Sequence, residues 1–499
     1  MDKKIVIYQV LPRLFGANST TCIHNGSKAQ NGCGHFSDFT KKALNEIKQL
    51  GANYIWYTGV LAHATKSDYS KYGIPNDDIQ LVKGNAGSPY AVKDYYDVDA
   101  DLADNVAERM NEFVKLVNRS HETGLKVIID FVPNHVAAEY KGMLNPFNDE
   151  NYYPGHIHDG DWTDTAKLNY GNHDTWQKMV DILLFWLQKG VDGFRCDMAE
   201  LVTCSFWNWA IPLVKSRHKD VIFIAEVYNP HEYRNYIYYG HFDYLYDKVG
   251  LYDTLKNVIH GQSASLITQC WQSVDDIKPH MVNFLENHDE QRLASEAFAD
   301  DARKGRPALL VSALMGTNPF MLYFGQELGE RAHDAEGFSG QDCRTSIFDY
   351  WTIDSVRRWR NNGKFGNELL TKDEKSLRDF YTKILNLCND EPALQKGLFF
   401  DIMYANYDNM EMDTNKVYAF LRGVEGQLIL VMANFSDENL KVKVKIPAHA
   451  YDYMNIPRKD NASGRDLLRN QTETYSLMPD VAIDIDVPAW NGRVIKFEY

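Results

Sequence analysis

Short apolar runs alternate with longer helical patterns along most of this chain, and this alternation constrains the fold more than any other feature. The segment Asn105–Thr123 places its apolar residues on one helical face and ends at Gly124, just before the apolar run Lys126–Phe131. Trp176–Gln188 precedes Gly193–Cys196 in the same way. The runs of strand length are Ile5–Val10, Tyr54–Tyr57, Lys126–Phe131, Gly193–Cys196, Ile222–Glu226, Phe242–Tyr246, Met281–Leu285 and Pro319–Tyr323. Eight strands with crossover helices predict an α/β fold, a (β/α)8 TIM barrel rather than a doubly wound sheet.

Two regions depart from this alternation. Residues 136–170 are rich in Asn, Asp, Gly, Pro and Tyr, and they make the third connection longer than one helix needs. Beyond about residue 395, apolar and polar residues alternate with period two in 440–446 and 481–487, which is typical of strands with one solvent-facing side. We therefore predict a barrel domain (1–135 and 171–395), a short inserted domain (136–170) and a C-terminal β-sandwich (396–499).

Charge and hydropathy exclude two classes of partner. The formal net charge of −15 disfavours binding to nucleic acid. No apolar run approaches the roughly 18 to 20 residues of a membrane helix, and the segment after Lys3 and Lys4 is interpreted as a first strand rather than a signal peptide. Seven cysteines, an odd number, favour a reducing, cytoplasmic location. Cys22 and Cys33 could pair if the protein were periplasmic or secreted.

The residues that close the predicted strands are polar and acidic. In a TIM barrel the active site lies at these carboxyl ends. Arg195 and Asp197 are two residues apart, so their side chains point the same way, and the guanidinium is expected to lower the pKa of Asp197 and keep it ionised as a nucleophile. Glu226 follows an apolar run and has no basic residue within three positions, which favours a raised pKa and a proton-donor role. Such a pair performs retaining glycoside cleavage.

Other interpretations of the same residues remain open. A single acid at a strand end, such as Asp130 or Asp289, is often a cap or an ion-pair partner. His135 and His288 can equally be buried hydrogen-bonding groups. The Asp and His residues could also bind a metal ion, but no His-Glu-x-x-His spacing occurs, and we predict no metal site. The convergence of these side chains on one rim favours catalysis.

At these strand ends the sequence resembles the α-amylase family of glycoside hydrolases, family 13. The segments that carry the resemblance, in the family's order and spacing, are Asp130–His135, Gly193–Asp197, Ile224–Val227 and Phe284–Asp289. Supporting similarities are Ile7–Val10, Tyr54–Trp56, Leu322–Glu327 and, in the C-terminal region, Leu428–Phe435. The resemblance spans the whole chain and implies that 136–170 is a short form of the family's domain B.

The resemblance implies a role for each matching residue. Asp197 would be the nucleophile, Glu226 the general acid/base, and Asp289 a third carboxylate that grips sugar hydroxyls. Arg195 would keep Asp197 ionised, and Asp130 would be structural. The substrate-binding residues would be Tyr90, which resembles a stacking platform, together with His135, Arg195, Asn287 and His288.

Two departures from the family pattern are informative. Many members carry Lys-His three and four residues after the nucleophile, on the side of the leaving sugar, but this chain has Glu200 and Leu201 there. Lys167 occupies the position of a calcium-binding aspartate near the end of domain B. A fixed ammonium can satisfy the same oxygens, so calcium is not expected at this junction, no cofactor is required, and Asn134 would be a structural hydrogen-bonding residue.

These inferences predict a retaining hydrolase of α-1,4-glucosidic bonds in starch-type glucans or maltooligosaccharides. A 4-α-glucanotransferase, or another transglycosylase or neopullulanase of the same family, is the enzymatic alternative, because a sugar hydroxyl can replace water with the same residues. A catalytically inactive sugar-binding barrel is the third hypothesis, and the presence of Asp197, Glu226 and Asp289 argues against it.

Overall fold

A closed barrel of eight parallel strands forms the centre of the molecule in the computed structural model, which describes residues 4–499. The strands, each neighbouring the next along the chain, are Val6–Val10, Tyr54–Tyr57, Lys126–Phe131, Gly193–Cys196, Ile222–Ala225, Tyr244–Tyr246, Met281–Phe284 and Phe320–Tyr323. Nearly every strand residue is buried, as expected for parallel strands covered on both faces. The prediction of a TIM barrel is confirmed. Residues 1–3, predicted to begin the barrel domain, lie outside the described residues.

The two predicted amphipathic helices correspond to Arg109–Thr123 and His173–Gln188, and further helices cover the barrel. Helix Lys41–Leu50 begins where the Thr40 side chain accepts a hydrogen bond from the Ala43 backbone N–H at 3.2 Å, and it buries Leu44 and Ile47. The α-helices are Pro12–Phe15, Lys28–Asn31, Lys41–Leu50, Arg109–Thr123, His173–Gln188, Cys204–Arg217, Asp253–Ile259, Leu266–Ser273, Arg306–Leu314, Asp354–Arg360, Lys372–Asp390, Pro392–Lys396 and Ala448–Met454.

Two hairpins leave the barrel near its carboxyl end. Strands His135–Ala137 and Thr165–Lys167 pair antiparallel and enclose most of the segment predicted as domain B. A second hairpin, Leu61–His63 with Val92–Val98, lies between the second barrel strand and helix Arg109–Thr123. Sequence analysis missed this second excursion because its first strand has only three residues and its register is irregular. It carries residues 83–90 to the mouth of the barrel.

The C-terminal region is built from β-strands and one seven-residue helix, Ala448–Met454. The strands of the six-stranded sheet, in spatial order, are Leu398–Asp401, Val417–Val424, Gln427–Asn434, Asn491–Glu498, Lys459–Asp466 and Gln471–Leu477. Leu440–Lys445 and Ala482–Val487 pair as a separate antiparallel ribbon, with buried Val442, Val444 and Ile485 alternating with more exposed residues. The predicted period-two segments therefore pair with each other.

No helix between residues 4 and 499 has the length and apolar character required to cross a membrane. All seven cysteines lie within these residues as free thiols, so Cys22 and Cys33 do not form a disulfide.

Candidate active site

One buried guanidinium organises the carboxylates at the mouth of the barrel. Arg195, which is fully buried, places Nη1 at 2.7 Å from Asp197 Oδ1 and Nη2 at 2.8 Å from Glu226 Oε2. The Asp197 contact is a hydrogen bond, whereas the Glu226 contact is an ion pair without hydrogen-bond alignment. Asp130 and Asp289 lie farther away, at 3.5 and 3.9 Å. Four carboxylates from different strand ends therefore surround a single cation.

The contact between Arg195 and Glu226 was not predicted. The raised pKa expected for Glu226 agrees with the structure, but the nearest cation lies on the neighbouring strand. Arg195 is paired in register with Ile224 of the neighbouring strand, so the residue two positions further along that strand lies within its reach. A window of three residues along the chain cannot detect a partner on the adjacent strand.

Burial, more than ion pairing, sets the protonation of these acids. Burial raises the pKa of Asp197 to about 6, although Arg195 opposes the shift. Arg195 thus lowers the pKa of Asp197 as expected, but burial outweighs this effect, and the carboxyl still ionises at neutral pH. Burial also raises the pKa of Asp130 to about 7. The pKa of Glu226 is raised by burial, with Arg195 opposing and the negative charges of Asp197 and Asp289 adding to the rise.

Both oxygens of Glu226 are held by donors from the neighbouring loops. The Tyr228 hydroxyl donates to Oε1 at 2.6 Å, and the Met198 backbone N–H donates to Oε2 at 2.7 Å. Met198 has a left-handed backbone with φ of 42°, which is unusual for a residue other than glycine and is typical of functional sites. Glu200 accepts from the backbone N–H groups of Tyr228 and Asn229, each at 3.1 Å. Glu200 thus fixes the loop that carries Tyr228.

Tyr90 and His288 form a stacked pair beside Arg195. The ring centroids are 5.3 Å apart with an interplanar angle of 26°, and the Tyr90 hydroxyl lies 2.5 Å from His288 Nε2. Burial lowers the pKa of His288 well below its ordinary value, and the charge of Arg195 lowers it further. Gly87, with φ of +83°, permits the turn before Tyr90, because a Cβ there would lie 1.7 Å from the Ala64 carbonyl oxygen.

A pocket of about 370 Å³ opens above these groups. The predicted residues that line it are Tyr90, His135, Asp197, Glu226 and Asp289. The side chains of Arg195, Asn287 and His288 do not line it. Asn287 is buried and its Oδ1 accepts from the backbone N–H groups of Asp289 and Glu290 at 2.8 and 3.0 Å, so its side chain holds the turn that presents Asp289.

Sequence analysis missed much of the pocket wall. The additional lining residues are Lys83, Ser88, Trp162, Asp164, Thr165, Met198, Tyr228, Ile347 and Phe348. Tyr228 could have been found, because it follows Glu226 by two residues, the spacing that was used to pair Arg195 with Asp197. The others lie in irregular loops, where no periodicity indicates which way a side chain points. Lys83 and Asp164 join two of these loops by an ion pair of 3.1 Å.

His135 lines the pocket from the first strand of the domain B hairpin. Its ring is 5.3 Å from the ring of Trp162, and burial lowers its pKa to about 4, so it is neutral at physiological pH. Beneath it, Lys167 Nζ lies 2.8 Å from Asp159 Oδ1, and Asn134 Nδ2 donates to Asp159 Oδ2 at 2.9 Å. The ammonium and the amide occupy one oxygen each of Asp159. Across residues 4–499, no group of three or more His, Cys, Asp or Glu residues is arranged to hold a metal ion.

Comparisons with known proteins agree with this geometry. The family description "Alpha amylase, catalytic domain" matches residues 9–159 and 148–382, and "Alpha amylase, C-terminal all-beta domain" matches residues 407–498. Neopullulanase 2 of Thermoactinomyces vulgaris is 22% identical over 484 residues, which cover 89% of this chain and 72% of that protein. Alpha-amylase 3 of Dictyoglomus thermophilum is 23% identical over 390 residues, covering 70% and 74% of the two chains.

A solved structure shows the same fold. The crystal structure of an alpha-amylase from Lactobacillus plantarum has a TM-score of 0.70 and 22% identity, and it covers 99% of this chain and 98% of its own. A (β/α)8 barrel whose strand ends bring acids around one arginine defines a class of barrel glycosidases. The chain belongs to the alpha-amylase family and is a glycoside hydrolase.

Proposed function

We propose that this protein is a retaining glycoside hydrolase that cleaves α-1,4-glucosidic bonds in starch-type glucans or maltooligosaccharides. The observation that carries the proposal is the pairing of Asp197 and Glu226 with the two terminal nitrogens of Arg195 at the floor of the pocket. The names of the relatives, neopullulanase and alpha-amylase, support an α-glucan as the substrate.

The proposed reaction is a double displacement. The ionised Asp197 carboxylate attacks the anomeric carbon while Glu226 donates its proton to the departing glycosidic oxygen. Glu226 then removes a proton from water, whose oxygen displaces Asp197 and releases the sugar. Asp289, whose side chain is 40% exposed at the rim, is placed to accept hydrogen bonds from sugar hydroxyls, and the Tyr90 ring provides a face beneath the sugar.

The charge of Asp197 couples the two roles of Glu226. In the free enzyme the negative charge of Asp197 helps to raise the pKa of Glu226, which favours the proton donor. Esterification of Asp197 by the sugar removes that charge, so the pKa of Glu226 falls and favours the base. Because Asp197 must be ionised to attack and its pKa is about 6, kcat/KM is expected to fall as the pH drops below about 6.

A timed product profile from maltoheptaose and soluble starch tests the proposal. Short maltooligosaccharides that are absent with Glu226→Gln are the expected result. Products longer than the starting oligosaccharide would instead identify a glucanotransferase. No turnover of any α-glucan by the wild-type enzyme would overturn the assignment.

We also propose that Lys167 replaces calcium at the junction of the barrel and domain B. The Lys167 ammonium and the Asn134 amide already occupy the Asp159 carboxylate, which does not fit a calcium ion at that position. The melting temperature is expected to be insensitive to a calcium chelator, and a fall of many degrees would contradict the proposal.

The seven free thiols support a proposed cytoplasmic location.

A further inference from the structure

A second aromatic groove, of about 410 Å³, lies between the barrel and the C-terminal domain. Trp271 and Gln272 of helix Leu266–Ser273 form one wall, and Phe399 and Phe400 of the edge strand Leu398–Asp401 form the other. Helix Leu266–Ser273 and Asp275 directly precede the seventh barrel strand. The groove therefore lies toward the amino-terminal end of the barrel, whereas the catalytic carboxylates lie at the carboxyl end.

The mouth of the groove exposes aromatic faces. Tyr404 is 46% exposed and Tyr453 is 57% exposed, and both line the groove. Clustered exposed aromatic side chains mark binding surfaces in soluble proteins. Gln272 and Asp275 are exposed at the edge of the same groove and offer an amide and a carboxylate beside the rings. We propose that this groove is a second carbohydrate-binding site, which holds one or two glucose units of an α-glucan chain away from the catalytic centre.

The wall of the groove is rigidly built. Asp401 Oδ2 accepts hydrogen bonds from Trp271 Nε1 at 2.8 Å and from the hydroxyls of Thr268 and Tyr418 at 2.7 and 2.9 Å. Lys278 Nζ lies 5.2 Å from the centroid of the Trp271 ring and also packs over the ring of Phe399. These contacts fix the indole before any ligand arrives, which reduces the entropy lost on binding.

The aromatic platform at the mouth is fixed in a similar way. Tyr404 stacks on His449 with a centroid separation of 5.4 Å and an angle of 29°, and Tyr453 packs against Phe400 at 5.9 Å. Each tyrosine thus has one side supported by the protein and the remaining surface exposed. A pyranose ring presents an apolar C–H face to such a ring and hydroxyls to the planar side chains at the edge.

The chemistry of the groove favours a neutral polyhydroxyl ligand. Asp275 at the edge, together with the net charge of −15, disfavours anionic ligands. Hydroxyl groups donate to carboxylate and amide oxygens, which the groove provides. The inference rests on the proposed function, because a polymeric α-glucan is the neutral ligand that this enzyme would meet. A chain held here would raise the local concentration of polymer near the catalytic end, but an oligosaccharide too short to bridge the two sites would gain nothing.

The experiment compares Tyr404→Ala/Tyr453→Ala with Tyr407→Ala as a matched control. Tyr407 is 49% exposed in the same domain but does not line the groove. Retardation in native gels that contain soluble starch measures polymer binding, and initial rates with soluble starch and with maltotriose measure turnover. We expect the double variant to bind starch about tenfold more weakly and to show a higher KM for starch, with its maltotriose turnover and melting temperature unchanged. The control should behave as wild type.

Equal retardation of all three proteins would overturn the second site. A wild-type dimer that the double variant dissociates, with unchanged starch binding, would also overturn it, because the groove would then be a self-association surface. Failure of the proposed function has a different signature. The wild-type protein would then cleave no α-glucan, whatever its retardation on starch, whereas loss of the second site alone leaves maltotriose cleavage intact.

Discussion

The two ends of the barrel bury charge in opposite ways. At the carboxyl end, one buried cation, Arg195, lies among four carboxylates. At the amino-terminal end, buried Lys4 donates to the carbonyl oxygens of Ala313 and Gly316 at 2.5 and 2.7 Å. Arg422 of the C-terminal domain donates to the Leu314 and Gly397 carbonyl oxygens at 2.8 and 2.9 Å. At the carboxyl end the buried cation is neutralised by carboxylates. At the amino-terminal end the buried cations are stabilised by backbone carbonyl groups at the end of a helix.

The buried charges at the carboxyl end serve catalysis, whereas those at the amino-terminal end serve the contact between the two domains. At the carboxyl end, burial raises the pKa values of the acids toward neutral pH, to about 6 for Asp197. At the amino-terminal end, burial lowers the pKa of Lys4 to about 8 and that of Lys278 to about 7. The carboxyl end is open to a pocket, whereas Lys4 and Arg422 join the barrel to the C-terminal domain. Substitutions of the charged residues at the carboxyl end should change catalysis, and substitutions of the buried cations Lys4 and Arg422 should change stability.

The largest expected effect is on catalysis at the carboxyl end. Asp197→Asn keeps the size of the side chain but removes the nucleophile, so kcat should fall on the order of 10³-fold or more. The variant should still fold and bind maltooligosaccharide. Initial rates and calorimetric binding measure the two quantities. Undiminished turnover would refute the assignment of Asp197.

The next effect is on stability at the amino-terminal end. Arg422→Met leaves several buried carbonyl groups without donors, so the free energy of unfolding should fall by about 2–4 kcal/mol. The kcat of the folded fraction should not change. Lys443→Met, whose side chain is 43% exposed in the same domain, is the control and should leave the denaturation midpoint unchanged. A loss of kcat with unchanged stability in Arg422→Met would contradict the structural role of this end of the barrel.

A smaller effect is expected from Tyr228→Phe. The substitution removes the hydroxyl that donates to Glu226 Oε1. Loss of a hydrogen bond to a charged group is expected to lower kcat/KM about tenfold. Because this donor lowers the pKa of Glu226, its loss should raise that pKa and move the alkaline limb of kcat/KM to higher pH. Tyr170→Phe, which removes a hydroxyl bound to the Pro133 carbonyl oxygen, is the control and should leave the limb in place. An unshifted limb in Tyr228→Phe would refute the positioning role.

The smallest effect is a pH dependence of stability at the amino-terminal end. The pKa of Lys278 is lowered to about 7 in the folded protein, so above pH 7 the unfolded chain binds more protons at this residue than the folded chain. Its contribution to the free energy of unfolding should therefore increase as the pH rises from about 7 toward the ordinary lysine pKa. Denaturant midpoints of wild type and Lys278→Met across this range measure the difference. Parallel curves would contradict the lowered pKa.

The contrast between the two ends also explains what the sequence could predict. All eight barrel strands were located because each is a short apolar run that precedes or follows a helix of period 3.6. Asp197 and Glu226 were located because each directly follows such a strand, and Asp289 because it lies in the loop after the seventh strand, with its role implied by the family resemblance. The contact between Arg195 and Glu226 was missed, because it depends on the register between two strands.

These patterns could not predict the pocket residues in loops or the contacts between the domains. Trp162, Phe348 and Lys83 line the pocket from irregular segments in which side-chain direction has no period. Lys4 and Arg422 lie 418 residues apart in the chain and meet only through the backbone of residues 313–316. No local pattern indicates such a contact. The sequence therefore predicted the regular part of the carboxyl end and none of the junction at the other end.

In the proposed mechanism Asp197 forms a covalent bond with the sugar, while Glu226 serves as acid and base. Fluoride departs from a sugar without a proton, so the Glu226→Gln variant should still accept a glycosyl group from α-maltosyl fluoride but should hydrolyse the ester slowly. Peptide mapping by mass spectrometry after this incubation is the direct measurement. A maltosyl adduct on Asp197 is the expected result. An adduct on Asp130 or Asp289, or release of maltose with inverted anomeric configuration, would contradict it.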